Sequence, residues 1–280
     1  MSKFLKALER AEQDQGLRRA SASAGPANRP SLVTDIVAAR ALPVPPAIPP
    51  QVTDGLEEHL VSLIDPTSFE AEQYRMLRHF IEQFRKSTDL SVIAVSSPGD
   101  GDGKSTTAIN LAGSLAQAPD ARVLLVDADL RQSALAQKLG LDAAVRPGLV
   151  EAILDANLTL DAVTHEYSQV NLSVVSAGRP PSTPYEVLKS PRFGALLGEA
   201  RTRYDYIVLD TPPLVSVPDC RVIGRWVDGF LVAVSAHKTP RKLLEEALNV
   251  MEPTKVLGLV FNSDDHHLSR TSSYAQTRRR

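Results

Sequence analysis

The sequence predicts an α/β fold built on a mostly parallel, doubly wound sheet with an N-terminal helical extension. Three observations predict it. Apolar runs of strand length recur from residue 90 onward, helical patterns separate them, and most runs are apolar at every position, as in strands covered on both faces. The expected strands are 90–96, 122–127, 171–176, 206–210, 229–234 and 256–261, and the main separating helices 104–116, 191–203 and 240–251. A further helix is expected from 68 through 85, ahead of the first strand.

The flanks differ in composition. Residues 1–19 carry Phe4, Leu5, Ala7, Leu8 and Ala11 among charges, which fits an amphipathic helix, either docked on a partner or solvated. Residues 20–55 are rich in Ala, Ser and Pro and read as a semi-rigid linker, because closely spaced prolines favour extended polyproline II. The domain is expected over 56–262, followed by a polar tail over 263–280 with no regular structure.

Bulk properties bound the function. The chain has 280 residues, is 43% hydrophobic and carries a net charge of −2, so it can bury a core and makes no global bid for nucleic acid. Its one cysteine, Cys220, excludes an internal disulfide framework and fits a reducing compartment. No apolar run approaches the ~20 residues of a membrane span, and the N-terminus does not read as a secretory signal. The expected location is therefore cytoplasmic.

Chemistry gathers at the ends of three apolar runs. Gly101, Asp102, Gly103, Lys104, Ser105 and Thr106 follow one strand and open a helix, the context that makes a glycine-rich loop a phosphate site. Lys104 is placed to reach β- and γ-phosphates, Ser105 to ligate Mg2+, and Thr106 to contact the α-phosphate. The usual spacing asks for glycine where Pro98 stands, so a turn that binds no nucleotide is the plainer alternative. Asp127 and Asp129 close the next strand and Asp210 a third; each alone reads as a helix-capping carboxylate, but together they converge on the phosphate edge. The set implies ATP and Mg2+.

Three motifs, Gly101 to Thr106, Leu124 to Arg131 with its Asp-x-Asp-x-Arg, and Ile207 to Pro213 ending in Asp-Thr-Pro-Pro, resemble those of the bacterial tyrosine kinases of capsule and exopolysaccharide export. Two further stretches, Ala177-Gly178-Arg179-Pro180-Pro181 with Pro184 to Leu188, and Val227-Asp228-Gly229, are similar as well. The resemblance covers roughly residues 68 to 262 and implies a P-loop NTPase fold with ParA/MinD-like relatives. It also implies that Lys104 and Ser105 hold ATP and metal and that Asp127 and Asp210 organise the metal. Asp129 becomes the candidate acceptor of the tyrosine proton, with Arg131 stabilising charge or positioning an aspartate.

Glu72, Arg75 and Arg78 recur at threes on one helical face, which alone reads as a solvated stripe. They fit the family's Glu-x-x-Arg-x-x-Arg element, which implies a homo-oligomer interface. The family's acceptors are a cluster of C-terminal tyrosines; this tail offers Tyr274 beside arginines. The implied partners are a separate membrane polysaccharide co-polymerase, a Wzz-like activator that would hold the protein at the inner membrane, and a tyrosine phosphatase. The alternative is a ParA/MinD-like assembly ATPase without kinase activity; the early loop lysine of that class is missing, its positions being Pro98, Gly99 and Asp100.

Overall fold

The computed structural model describes residues 56–141, 147–167 and 170–263. The helix expected over 1–19, the linker over 20–55 and the tail with Tyr274 lie outside the described residues. In chain order the elements begin with α1 (Val61–Ile64), α2 (Phe69–Ser87), β1 (Val92–Ser96), α3 (Lys104–Ala116) and β2 (Val123–Asp127). Then come α4 (Leu135–Lys138), α5 (Leu149–Leu154), α6 (Leu160–Val163), β3 (Thr164–Tyr167) and β4 (Leu172–Val175). The chain continues with α7 (Pro184–Lys189), α8 (Pro191–Arg203), β5 (Tyr206–Asp210), α9 (Asp219–Ile223), β6 (Gly229–Ser235), α10 (Arg241–Val250) and β7 (Val256–Asn262).

The strands form one sheet in the order β3-β4-β2-β5-β1-β6-β7, parallel except for β3, which runs antiparallel to β4. Every residue of β1, β2, β5 and β6 is buried, which is why these strands read as unbroken apolar runs. The pleat divides them between two cores. Val92, Ala94, Leu124, Val126, Ile207 and Leu209 enter one with α5 to α10, while Ile93, Val95, Val123, Leu125 and Val208 enter the other with α1 to α4.

Helix starts follow local chemistry. The Ser68 hydroxyl accepts from Ala71 N at 3.1 Å, Glu70 and Glu72 occupy the first turn of α2, and Arg85 and Lys86 its last, all complementing the helix dipole. Helix α3 is buried from Lys104 to Ala116 apart from Thr106, wedged between sheet and outer helices, so its small residues and lack of a polar stripe have a packing cause.

Two expectations are corrected. β3, Thr-His-Glu-Tyr, carries no apolar run because it is a short edge strand, and pattern alone missed it. The helices α5, α6 and α7 are four to six residues long, too short for a helical period to show. The helices α1 and α4, four residues each, were likewise not expected; the elements that were expected fall within about two residues of their bounds.

Because α3 follows β1 into one core and α9 follows β5 into the other, the connections leaving these adjacent strands diverge. Such a divergence opens a crevice at the carboxyl ends of the strands, where α/β sheets bind ligands.

Candidate active site

The loop between β1 and α3 occupies that crevice. Gly101 and Gly103 take φ of 80° and 86°, the left-handed region that suits glycine, and so turn the backbone back toward the start of α3. A Cβ on Gly103 would stand 2.5 Å from Nδ2 of Asn262, so the asparagine side chain would have to shift and the left-handed backbone would be strained in any other residue there. The Ser97 hydroxyl donates to Gly99 O at 2.6 Å, closing the loop's first turn.

Lys104 opens α3 with its Nζ 3.1 Å from Asp129 Oδ2. Burial opposes its charge, but the carboxylates of Asp210 and Asp129 outweigh burial and raise its pKa. Asp129 is buried; its Oδ1 accepts from the backbone nitrogens of Arg131 at 3.3 Å and Gln132 at 3.0 Å, while its Oδ2 faces the Lys104 ammonium without a closed hydrogen bond among the described residues.

Asp127 and Asp210 are register partners on β2 and β5, which sets their carboxylates side by side. Asp127 accepts from Asp129 N at 3.3 Å and Leu135 N at 3.2 Å, the capping pattern expected of a strand-end aspartate. Burial, then the charge of Asp210, push its pKa well above the carboxylate range. Asp210 differs. It is fully buried, and neither carboxylate oxygen has a hydrogen-bond partner among the described residues, although Ser105 and Lys104 lie close by. Burial pushes its pKa up to about 7, against the opposing pull of the Ser105 hydroxyl and the Lys104 ammonium.

A buried acid with two orphaned oxygens beside a serine hydroxyl fits a cation that is brought with a ligand. Among the described residues no cluster of three or more His, Cys, Asp or Glu side chains is built to hold a metal. Mg2+ takes one or two carboxylates and completes its shell with water and phosphate oxygens, a demand that the Asp210 carboxylate and the Ser105 hydroxyl fit.

Arg131 clamps Asp219, the first residue of α9, through Nε at 2.7 Å and Nη2 at 3.0 Å. The neighbouring Thr211 and Pro212 are tied to β1 by Thr211 Oγ1 donating to Val95 O at 2.9 Å and by Ser96 Oγ donating to Pro212 O at 2.6 Å. Cys220 packs against this turn, and burial lifts its thiol to about 11, which leaves it a small buried residue rather than a nucleophile.

The structure also shows residues that sequence reasoning missed. The Asp102 carboxylate is engaged within the protein, accepting from Thr239 Oγ1 at 2.6 Å and from Gly99 N at 3.2 Å. Asn262 Nδ2 donates to Asp102 O at 2.9 Å and to Thr107 Oγ1 at 3.0 Å. Asp219, Thr239 and Asn262 lie in no motif, and only their distance partners reveal them. The Gly178-Arg179 stretch is held elsewhere: Glu151 accepts from Gly148 N at 2.8 Å and from Arg179 N at 3.1 Å.

On α2, Glu72 pairs with Arg75 at 2.6 Å, Arg75 also donates to Pro66 O, and Arg78 donates to Glu82 at 2.6 Å and Ser114 O at 3.0 Å. Beside them Phe69, Met76 and Phe80 are exposed. No helix among the described residues is long and apolar enough to cross a membrane.

The AAA domain family matches residues 90–223. The chain is 31% identical over 221 residues to the tyrosine-protein kinase YwqD of Bacillus subtilis, spanning 78% of this chain and 91% of that protein. It is 37% identical over 193 residues to the tyrosine-protein kinase ptk of Acinetobacter johnsonii, spanning 68% of this chain but 26% of that longer protein. The fold matches the kinase domain of the Escherichia coli tyrosine kinase ETK with a TM-score of 0.68 at 25% identity, covering 72% of this chain and 79% of that one. With a phosphate loop, strand-end aspartates and nine-tenths of a kinase relative aligned, the chain belongs to the bacterial tyrosine-protein kinase family.

Proposed function

We propose that this kinase transfers the γ-phosphoryl group of ATP to a tyrosine of its own kind, with Tyr274 of a neighbouring copy as acceptor, and thereby regulates capsule or exopolysaccharide polymerisation and export. The observation that carries the reading is the pair of orphaned, buried Asp210 oxygens facing Ser105 and Lys104 at the phosphate loop. The backbone of Gly101 to Ser105 would cradle the phosphates with Thr106 at their near end, and Ser105, Asp127 and Asp210 would hold Mg2+. The metal would supply charge neutralisation to the phosphates.

Lys104 would exchange its bond to Asp129 for phosphate oxygens. That exchange frees Asp129 Oδ2 to accept the tyrosine proton as the phenolic oxygen bonds to the γ-phosphorus and the bond to the ADP oxygen breaks. Arg131 would act from behind, fixing α9 and the backbone turn that orients Asp129. Glu72, Arg75 and Arg78, with the exposed apolar side chains beside them, would form a homo-oligomer interface that brings a neighbour's tail to the site. A separate membrane protein of the polysaccharide co-polymerase class would activate the kinase and localise it to the inner membrane, and a tyrosine phosphatase would reset it. A phosphate adds about −1.5 to −2 charge, enough to alter the attraction of a basic tail.

The test is intact-mass and peptide mapping after incubation with ATP and Mg2+, for wild type, Lys104→Met and Tyr274→Phe, with and without a candidate activator's cytoplasmic segment. Phosphate at Tyr274 that disappears in Lys104→Met is the expected result. ATP turnover without phosphotyrosine, even with the activator, would replace the reading with a ParA/MinD-like assembly ATPase.

A further inference from the structure

The phosphate loop is fastened from the side opposite its catalytic carboxylates. Asp102 lies at the crest of the loop, 6% exposed, in a place meant to receive phosphate oxygens, where a free carboxylate would repel the ligand. Its charge is turned away from that role, with Oδ1 bonded by the Thr239 hydroxyl and Oδ2 by the loop's own Gly99 N. Thr239 in turn accepts from Ser235 N at 3.0 Å, at the end of β6. Asn262, the last residue of β7, donates through one nitrogen to Asp102 O and to Thr107 Oγ1 on α3. That nitrogen also lies 2.5 Å from where a Gly103 Cβ would stand, so the left-handed turn and the asparagine are fitted to each other.

We propose that Asp102, Thr239 and Asn262 form a latch that sets the curvature of the phosphate loop, with Thr239 and Asn262 acting as positioning residues for nucleotide binding. The loop is held at both edges, to β6 by Thr239 and to β7 by Asn262, and these strand ends are themselves joined by Ala236 N donating to Asn262 O at 2.7 Å. A curvature fixed before the nucleotide arrives spares the ligand the ordering of the loop, so the latch acts on affinity more than on the phosphoryl-transfer step. This inference rests on the reading that the loop holds ATP.

The experiment combines titration with a fluorescent ATP analogue and steady-state phosphorylation of a tyrosine peptide, for Thr239→Val, Thr239→Ser, Asn262→Ala and Lys104→Met, with thermal midpoints recorded throughout. Thr239→Val preserves shape and removes the hydroxyl. It is expected to raise the KM for ATP and the analogue Kd by about tenfold, equivalent to about 1.4 kcal/mol, with kcat within about twofold. Thr239→Ser is expected to recover most of the affinity, and Asn262→Ala to behave like Thr239→Val. A lowered thermal midpoint with unchanged KM would assign these residues to stability alone and overturn the latch. Wild-type KM in Thr239→Val and Asn262→Ala, with binding lost in Lys104→Met, also overturns the latch and leaves the ATP reading standing. Wild-type analogue binding in Lys104→Met overturns the ATP reading itself.

Discussion

Asp102 within the phosphate loop and Asp210 beside it are satisfied in opposite ways. Asp102 has both carboxylate oxygens hydrogen-bonded, while Asp210, more deeply buried, has neither bonded among the described residues. A protein that leaves a buried acid without a closed hydrogen bond forgoes stability there, because the nearby Ser105 hydroxyl and Lys104 ammonium offset only part of the desolvation of its charge. The difference teaches which acid serves the fold and which is left for the metal site proposed above, and it separates the two without reference to any motif.

The sharpest way to break the comparison is Asp210→Asn. It should lower phosphorylation by about 10²–10³-fold, the scale seen when one electrostatic stabiliser of a transition state is removed. It should not lower the thermal midpoint of the magnesium-free protein, since an orphaned charge is replaced by a neutral amide. A marked loss of stability would show that Asp210 is a structural acid after all. Asp102→Ala should do the reverse, destabilising the fold by about 1–3 kcal/mol as Thr239 and Gly99 N lose their acceptor, measured by denaturant titration.

Acidity sharpens the same contrast. Asp210 titrates near 7 in the fold and near 4 when unfolded, so the native state binds the extra proton between those values. Stability of the magnesium-free protein should therefore fall as pH rises from about 4 to about 7, by at most about 1.4 kcal/mol per pH unit from this group, and then level. Asp210→Asn should flatten that slope. Mg2+ affinity should run the other way, tightening as pH rises through 7 and the carboxylate becomes charged.

The smallest effect belongs to the exposed charges of α2. Glu72→Ala should change stability by no more than about 0.5 kcal/mol, because its pair with Arg75 is largely solvated. Its consequence should appear in solution mass instead, as a shift toward monomer by light scattering, and an unchanged mass would remove this face from the proposed interface.

How much of this the sequence disclosed follows the range of the interactions. The central strands were legible because burial on both faces forces apolar residues at every position, and Lys104, Ser105 and Asp210 because loop and strand end lie within short, ordered motifs. β3 stayed hidden, being polar and at the edge. Asp102 was legible as part of the loop but its engagement was not, since Thr239 lies 137 positions away and Asn262 reaches the same loop across 160. Arg131 showed the same limit: the motif marked it, and only the fold revealed Asp219 as its partner.

Asn262 closes the sheet and also begins the stretch of chain that leads to Tyr274, about a dozen residues on. Even drawn out fully, that many residues span about 40 Å. The proposed acceptor therefore stands at most that far from an anchor bolted to its own kinase's nucleotide loop, and this length acts as a ruler. Any neighbour it phosphorylates with must place its active site within that radius, which limits the packing distance between copies more tightly than the chemistry of either site does.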